Sequence, residues 1–123
     1  MASERVAHRV LVIEDDFLLA SSLTDLLEDA GFVVLGPVAR LKEALRAACD
    51  LAADIALLDV NLAGERVFPA AEVLDRRGIP FIFLTGYGSH VLPVQFRSRP
   101  LICKPFSPGL LLQALAKILA PVT

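Results

Sequence analysis

The chain has little cysteine, little net charge and no long apolar run. Only two of its 123 residues are cysteine. A disulfide-stapled scaffold is excluded, and Cys49 and Cys103, each among apolar neighbours, read as buried thiols of a reducing cytosol. Neither charge sign dominates: the formal net charge is −2, and like charges form no block. A nucleic-acid footprint needs clustered Lys and Arg, so nucleic acid is not an expected partner. No apolar run approaches the ~18 residues of a membrane span. The first ten residues, MASERVAHRV, lack the apolar stretch of a signal peptide. Internal repeats and low-complexity tracts are missing too. With 55% hydrophobic and 21% charged residues, the composition is the reverse of a disordered chain. At this length folding buries roughly two-thirds of the unfolded surface, enough for a core without staples. The expectation is one cytoplasmic domain over residues 1–123, with little room for an output module.

Five short apolar runs recur along the chain: Val10–Ile13, Phe32–Leu35, Ile55–Leu58, Phe81–Leu84 and Leu101–Cys103. Continuous runs of this length suit strands buried on both faces. Helical patterns separate most of them. Phe17–Ala30 carries Leu19, Leu23, Leu26 and Leu27 on one stripe, and Gly31 stops it. Arg40–Cys49 and Pro69–Arg77 follow, the latter stopped by Gly78. Ser107 and Pro108 open a last helix as N-cap and first position, and it runs to about Leu119. Its apolar stripe is wider than packing on one sheet face needs. Its outer edge is therefore a candidate docking or dimer surface, on a monomer or weak homodimer. Residues 86–100 fit a helix poorly; a fourth helix there is short and interrupted, or replaced by a loop with one turn.

Alternating strands and helices predict an α/β fold, a parallel sheet with helices on both faces. Ligands of such sheets sit beyond the C-terminal strand ends. There the first run delivers Glu14, Asp15 and Asp16, the third Asp59, the fourth Thr85 and the fifth Lys104 followed by Pro105. If the first and third strands are neighbours, Glu14, Asp15 and Asp59 converge. Converging carboxylates repel unless a cation or proton joins them. Hard oxygen ligands favour Mg²⁺. This set suits phosphoryl transfer, in which positioning and charge neutralisation dominate. Asp59 is the candidate nucleophile, forming an aspartyl-phosphate. Lys104 pairs with the same oxygens as a point charge. The Thr85 hydroxyl donates to the phosphoryl group, and the backbone carbonyl of Asn61 adds a neutral metal ligand. Asp16 reads as helix-start chemistry. His8 and His90 read as surface residues, and Tyr87, between two glycines, as a partner contact, a cover over the site or a plain turn.

The segments VLVIEDDF (10–17), DIALLDVNLAGE (54–65), FLTGYG (83–88) and CKPF (103–106) resemble a response-regulator receiver domain. The resemblance covers essentially the whole chain, in order. It implies a doubly wound five-stranded parallel sheet of order 2-1-3-4-5. It implies Asp59 as phosphoacceptor, Glu14 and Asp15 as the acidic pair, Thr85 as switch hydroxyl, Lys104 as the family lysine and a cis Lys104–Pro105 bond. It also implies a histidine kinase or histidine phosphotransfer protein as donor, a downstream protein target, and self-catalysed phosphorylation and dephosphorylation rather than turnover of a separate substrate. Two positions depart from the family. Leu101 stands where an aromatic residue is usual three positions before the lysine, and Ala63 stands in the turn after Asp59 where Pro is frequent. PFIFLTGYG and PLICKPF resemble a receiver subgroup named for a "FAT GUY" sequence, associated with HWE-type histidine kinases, though Leu84 replaces its Ala.

Two other functions use overlapping residues. An aspartate-nucleophile phosphatase of the haloacid-dehalogenase type needs an acid two residues after the nucleophile. Asn61 occupies that position. A receiver-fold interaction module without phosphate chemistry has no need of the full set Glu14, Asp15, Asp59, Thr85 and Lys104.

Overall fold

The structure is a computed structural model that describes residues 7–120. Both tips of the expected 1–123 domain, and most of the segment read for a signal peptide, lie outside the described residues. Five parallel strands form one sheet: β1 (Arg9–Ile13), β2 (Val33–Val38), β3 (Ile55–Asp59), β6 (Phe81–Thr85) and β7 (Leu101–Cys103). Their order is β2-β1-β3-β6-β7. This is the expected doubly wound order; two short strands, β4 (Asn61–Leu62) and β5 (Glu65–Arg66), pair separately as a hairpin.

Strand alternation divides the core in two. Val10 and Val12 of β1 face a cluster with Leu23 and Leu27 of α1 (Phe17–Asp29) and Leu111 and Leu115 of α4 (Pro108–Leu119). Leu11 and Ile13 face the opposite cluster, built with Ala44 and Ala48 of α2 (Leu41–Asp50) and Ala70, Ala71 and Leu74 of α3 (Phe68–Arg76). β1, β3 and β6 bury apolar residues on both faces. That is why these segments read as unbroken apolar runs rather than alternating ones.

The caps explain where two helices begin. Asp16 Oδ1 accepts from the Leu19 N–H at 3.1 Å, and Ser107 Oγ accepts from the Leu110 N–H at 3.2 Å. Each satisfies one of the orphan donors of a first turn. The wide apolar stripe of α4 is largely used by the sheet. Leu112, Ala114, Ile118 and Leu119 pack against the core beside buried Leu111 and Leu115, while Leu110 is exposed.

Several expectations need correction. β2 starts one residue later than expected and runs to Val38. Its course bends at Gly36, which sits at φ +91°, a region open mainly to glycine. The chain then rejoins the ladder with Val38 opposite Ile13. The Gly36–Pro37 peptide is cis, as is the expected Lys104–Pro105. Cys49 and Cys103 are free, as expected, but both are exposed rather than buried. Cys49 lies on the solvent side of α2, and Cys103 ends the edge strand β7. Residues 86–100 form no α-helix, only two 3₁₀ turns, Ser89–Val91 and Val94–Phe96.

That segment is held by side chains instead. Leu92 and Phe96 are buried. The Phe96 ring lies 5.9 Å from Phe81, 5.6 Å from Phe83 and 6.0 Å from Phe68, centroid to centroid. Arg99 donates to both carboxylate oxygens of Asp75 on α3, at 2.7 and 2.8 Å. Its guanidinium carbon is also 5.2 Å from the Phe81 ring centroid, within cation–π range.

Candidate functional site

The sheet register sets the site. Ile13 pairs with Leu58 and Asp59 with Leu84, so the residue after β1 stands beside the end of β3. Thr85 pairs with Cys103, and the Lys104 N–H donates to the Thr85 carbonyl at 2.7 Å, extending the ladder by one step. Glu14, Asp59, Thr85 and Lys104 therefore meet at one edge because four parallel strands end in step. Glu14, Asp59 and Thr85 are the buried polar residues of the described chain.

Lys104 joins two of the acids. Its Nζ is 3.0 Å from Glu14 Oε1 and 3.3 Å from Asp59 Oδ2. Glu14 Oε1 is buried without a well-aligned hydrogen bond, so its contact with Lys104 is an ion pair. Glu14 Oε2 accepts from the Asp16 N–H at 3.0 Å. Asp59 Oδ1 accepts from the Asn61 N–H at 3.3 Å. The Thr85 hydroxyl oxygen accepts from the Tyr87 N–H at 3.1 Å, which leaves its proton free to donate.

Asp15 ties the site to the hairpin. Its Oδ2 accepts from the Ala63 N–H at 2.9 Å. Ala63 and Gly64 have φ values of +50° and +91°, the pattern of the two-residue turn that suits a hairpin twist. The Gly64 N–H donates to Asn61 Oδ1 at 3.1 Å. Sequence reasoning missed this hairpin because Ala-Gly is a weak turn signal and its strands have two residues each.

Glu14, Asp15 and Asp59 each bring a carboxylate oxygen within 4.8 Å of the others. One ammonium cannot balance three carboxylates. Burial, the neighbouring Glu14 and Asp15 carboxyls and the Glu14 charge push Asp59 up to about 8, against the pull of Lys104. Carboxylates crowded in this way repel unless a proton or a cation joins them. Burial also opposes the charge on Asp15, but Asp59 and the Ala63 N–H hold it below the ordinary value. Lys104 is opposed by burial as well, yet Glu14 and Asp59 hold its ammonium above the ordinary value. The donor set, all hard oxygen and short of positive charge, fits Mg²⁺.

The cleft beside Asp59 measures about 690 Å³ and is lined by Asn61, Arg66, Thr85, Tyr87 and His90 among others. Tyr87 lines the cleft and is 69% exposed, so it stands at the rim. His8 is exposed, and so is His90, which lines the cleft. Asp16 caps α1 and takes no part in the acid cluster. Among the described residues, no helix is long and apolar enough to cross a membrane.

Comparison with known proteins agrees with this geometry. The family described as response regulator receiver domain matches residues 10–116. SdrG from Sphingomonas melonis is 39% identical, with a TM-score of 0.80 over 93% of this chain and 98% of that one. SdrG has also been solved in a BeF3-activated conformation, matched with a TM-score of 0.76. The regulator PhyR of Methylorubrum extorquens is 33% identical over 85% of this chain and 40% of its own length. The receiver domain of the sensor histidine kinase PA1611 from Pseudomonas aeruginosa, solved with a magnesium ion in its active-site cleft, shares the fold. Its TM-score is 0.82 at 23% identity, over 94% of this chain and all of that one. The chain spans about half the length of the curated relatives it matches.

Proposed function

The chain belongs to the response regulator receiver domain family, and from that premise we propose that Asp59 accepts a phosphoryl group from a phosphohistidine. The donor is a histidine kinase, of the HWE type by the FLTGYG resemblance, or a histidine phosphotransfer protein. The reaction takes place in the cytoplasm. The observation that carries this reading is the position of Lys104, whose ammonium joins Glu14 and Asp59 at 3.0 and 3.3 Å.

Each residue then has a task. A carboxylate oxygen of Asp59 forms a bond to phosphorus, and the bond from phosphorus to the histidine nitrogen breaks. The imidazole leaves with that electron pair and takes its proton from water. The Asn61 N–H and Lys104 fix the carboxylate, one at each oxygen. Lys104 is also placed to follow the phosphoryl oxygens as a point charge. The Thr85 hydroxyl, its oxygen already engaged by the Tyr87 N–H, turns its free proton to a phosphoryl oxygen. Glu14, Asp15, Asp59 and the Asn61 carbonyl would hold Mg²⁺, which supplies the positive charge that keeps three carboxylates ionised beside an incoming phosphoryl group.

Asn61 stands two residues past Asp59 and is bound through its amide oxygen to Gly64. It has no acid proton for a leaving group, which speaks against a phosphatase. The protein serves as a phosphoacceptor that loads and discharges itself, and a downstream protein reads the loaded state. The test is incubation with acetyl phosphate and Mg²⁺ followed by intact-protein mass. A gain of one phosphoryl group is expected in wild type and not in Asp59→Asn. No gain in wild type, or an equal gain in the variant, would sink the assignment.

A further inference from the structure

Glu14, Asp15 and Lys104 stand close to Asp59. Among the described residues, the cleft beside Asp59 has one arginine, Arg66, and no lysine in its lining. Arg66 lies on β5 directly opposite Asn61 of β4. Opposed residues of an antiparallel pair share one face, and both residues line the cleft together with Asp59 and Thr85.

Arg66 differs from the arginines tied into the fold. Arg77 donates to the Ala48 and Leu51 carbonyls, Arg97 to the Leu92 carbonyl, and Arg99 to Asp75. Arg66 is exposed. Among the described residues it has no ion-pair partner and no side-chain hydrogen bond. Lys104 bridges Asp59 and Glu14 and is not among the cleft-lining residues, so it reaches a phosphoryl group from the Glu14 side. A phosphoryl group entering from solvent brings about two negative charges, and its outward oxygens need a partner there. A guanidinium offers two parallel donors to such oxygens and keeps its charge at every working pH.

We propose that Arg66 is a second cation of the site, which binds the outward phosphoryl oxygens of the donor in the cleft beside Asp59. This rests on the reading of Asp59 as phosphoacceptor. With acetyl phosphate, an Asp59 oxygen bonds to phosphorus, the bond from phosphorus to the bridging oxygen breaks, and acetate leaves with the electron pair. Arg66 donates hydrogen bonds throughout and gives up no proton. Its contribution is to capture the anionic donor, so it acts on half-saturation more than on the limiting rate.

The experiment compares wild type, Arg66→Ala and Arg66→Lys with acetyl phosphate and Mg²⁺, reading phosphoryl mass against time. Arg66→Ala is expected to raise the half-saturating donor concentration about tenfold, with the limiting rate within about threefold. Arg66→Lys recovers part of that loss, since it keeps the charge and loses the fork. A second arm titrates beryllofluoride with Mg²⁺ and follows the fluorescence of Tyr87, the sole tyrosine in a chain without tryptophan. Binding is expected to weaken by a similar factor in Arg66→Ala, while Mg²⁺ alone binds as in wild type. Unchanged half-saturation and unchanged beryllofluoride binding would overturn the role of Arg66. Failure of wild type to gain mass would overturn the phosphoacceptor reading, and the beryllofluoride arm then judges Arg66 by itself.

Discussion

Asp15 Oδ2 and the backbone N–H of Ala63 are hydrogen-bonded at 2.9 Å across 48 residues of chain. One carboxylate thus belongs to the acid cluster and also holds the hairpin beside it. Two substitutions separate these roles. Asp15→Asn keeps an acceptor for Ala63 and removes the charge; Asp15→Ala removes both. Each is expected to weaken Mg²⁺ binding at least about tenfold by calorimetry. Hydrogen exchange at Ala63 and Gly64 should quicken only in Asp15→Ala. Equal exchange in the two variants would show that the hairpin does not depend on this bond.

The raised Asp59 pKa has a definite sign in stability. Between its ordinary value of 3.8 and about 8, the folded protein binds more protons at this group than the unfolded chain does. Asp59 therefore costs stability as pH rises through that window. In a chelator, wild type should lose stability from about pH 4 toward pH 8 at this group, and Asp59→Asn should lack that component. Near pH 7.5 the variant should melt roughly 3–8 °C higher than wild type. Saturating Mg²⁺ should narrow the gap by stabilising wild type. A variant that melts lower under these conditions contradicts the crowded-carboxylate account.

Lys104 supports Glu14 as well as Asp59. The Glu14 side chain is 0% exposed and that of Lys104 is 24% exposed, so removing the cation leaves a buried charge without its partner. Lys104→Met is expected to cost about 2–4 kcal/mol in urea unfolding, the lower end reflecting partial solvent access. Adding Glu14→Gln should recover more than half of that loss. A double variant no more stable than the single one would mean that Lys104 acts through packing alone.

Two glycines share a conformation and differ in surroundings. Gly36 and Gly64 both have φ +91°. A Cβ on Gly36 would lie 2.9 Å from the Val38 nitrogen and 3.0 Å from the Val12 oxygen, whereas one on Gly64 meets nothing within 4 Å. Gly64→Ala should cost about 1 kcal/mol from strain alone. Gly36→Ala should cost about 2 kcal/mol or more, because backbone on both sides must shift. Denaturant midpoints of the two variants decide the ranking.

Most of the sheet could be read in advance because its central strands are buried on both faces, and an unbroken apolar run such as Ile55–Leu58 leaves little choice. The last helix was legible to the residue because Ser107 and Pro108 mark its start. The end of β2 was not, since Gly-Pro reads as a break unless the neighbouring strand is known. The exposure of Cys49 and Cys103 escaped for a related reason: apolar neighbours in sequence do not fix which face a side chain takes. At the site, strand-end positions named Glu14, Asp15 and Lys104, which the structure brings close to Asp59. The Asp15–Ala63 bond and the place of Arg66 depend on a small hairpin whose pairing only the three-dimensional arrangement shows.

The segment between Thr85 and β7 has a mechanical consequence. A helix there would move as a lever, carrying a displacement at one end rigidly to the other. This segment has only two 3₁₀ turns, and its firm anchors, Leu92, Phe96 and Arg99, lie in its later part. Gly86, Tyr87 and Gly88 separate Thr85 from these anchors, so the chain offers no rigid helix to carry a displacement away from the site. A partner that reads the state of Thr85 is therefore expected to contact this rim itself rather than a helix displaced at a distance.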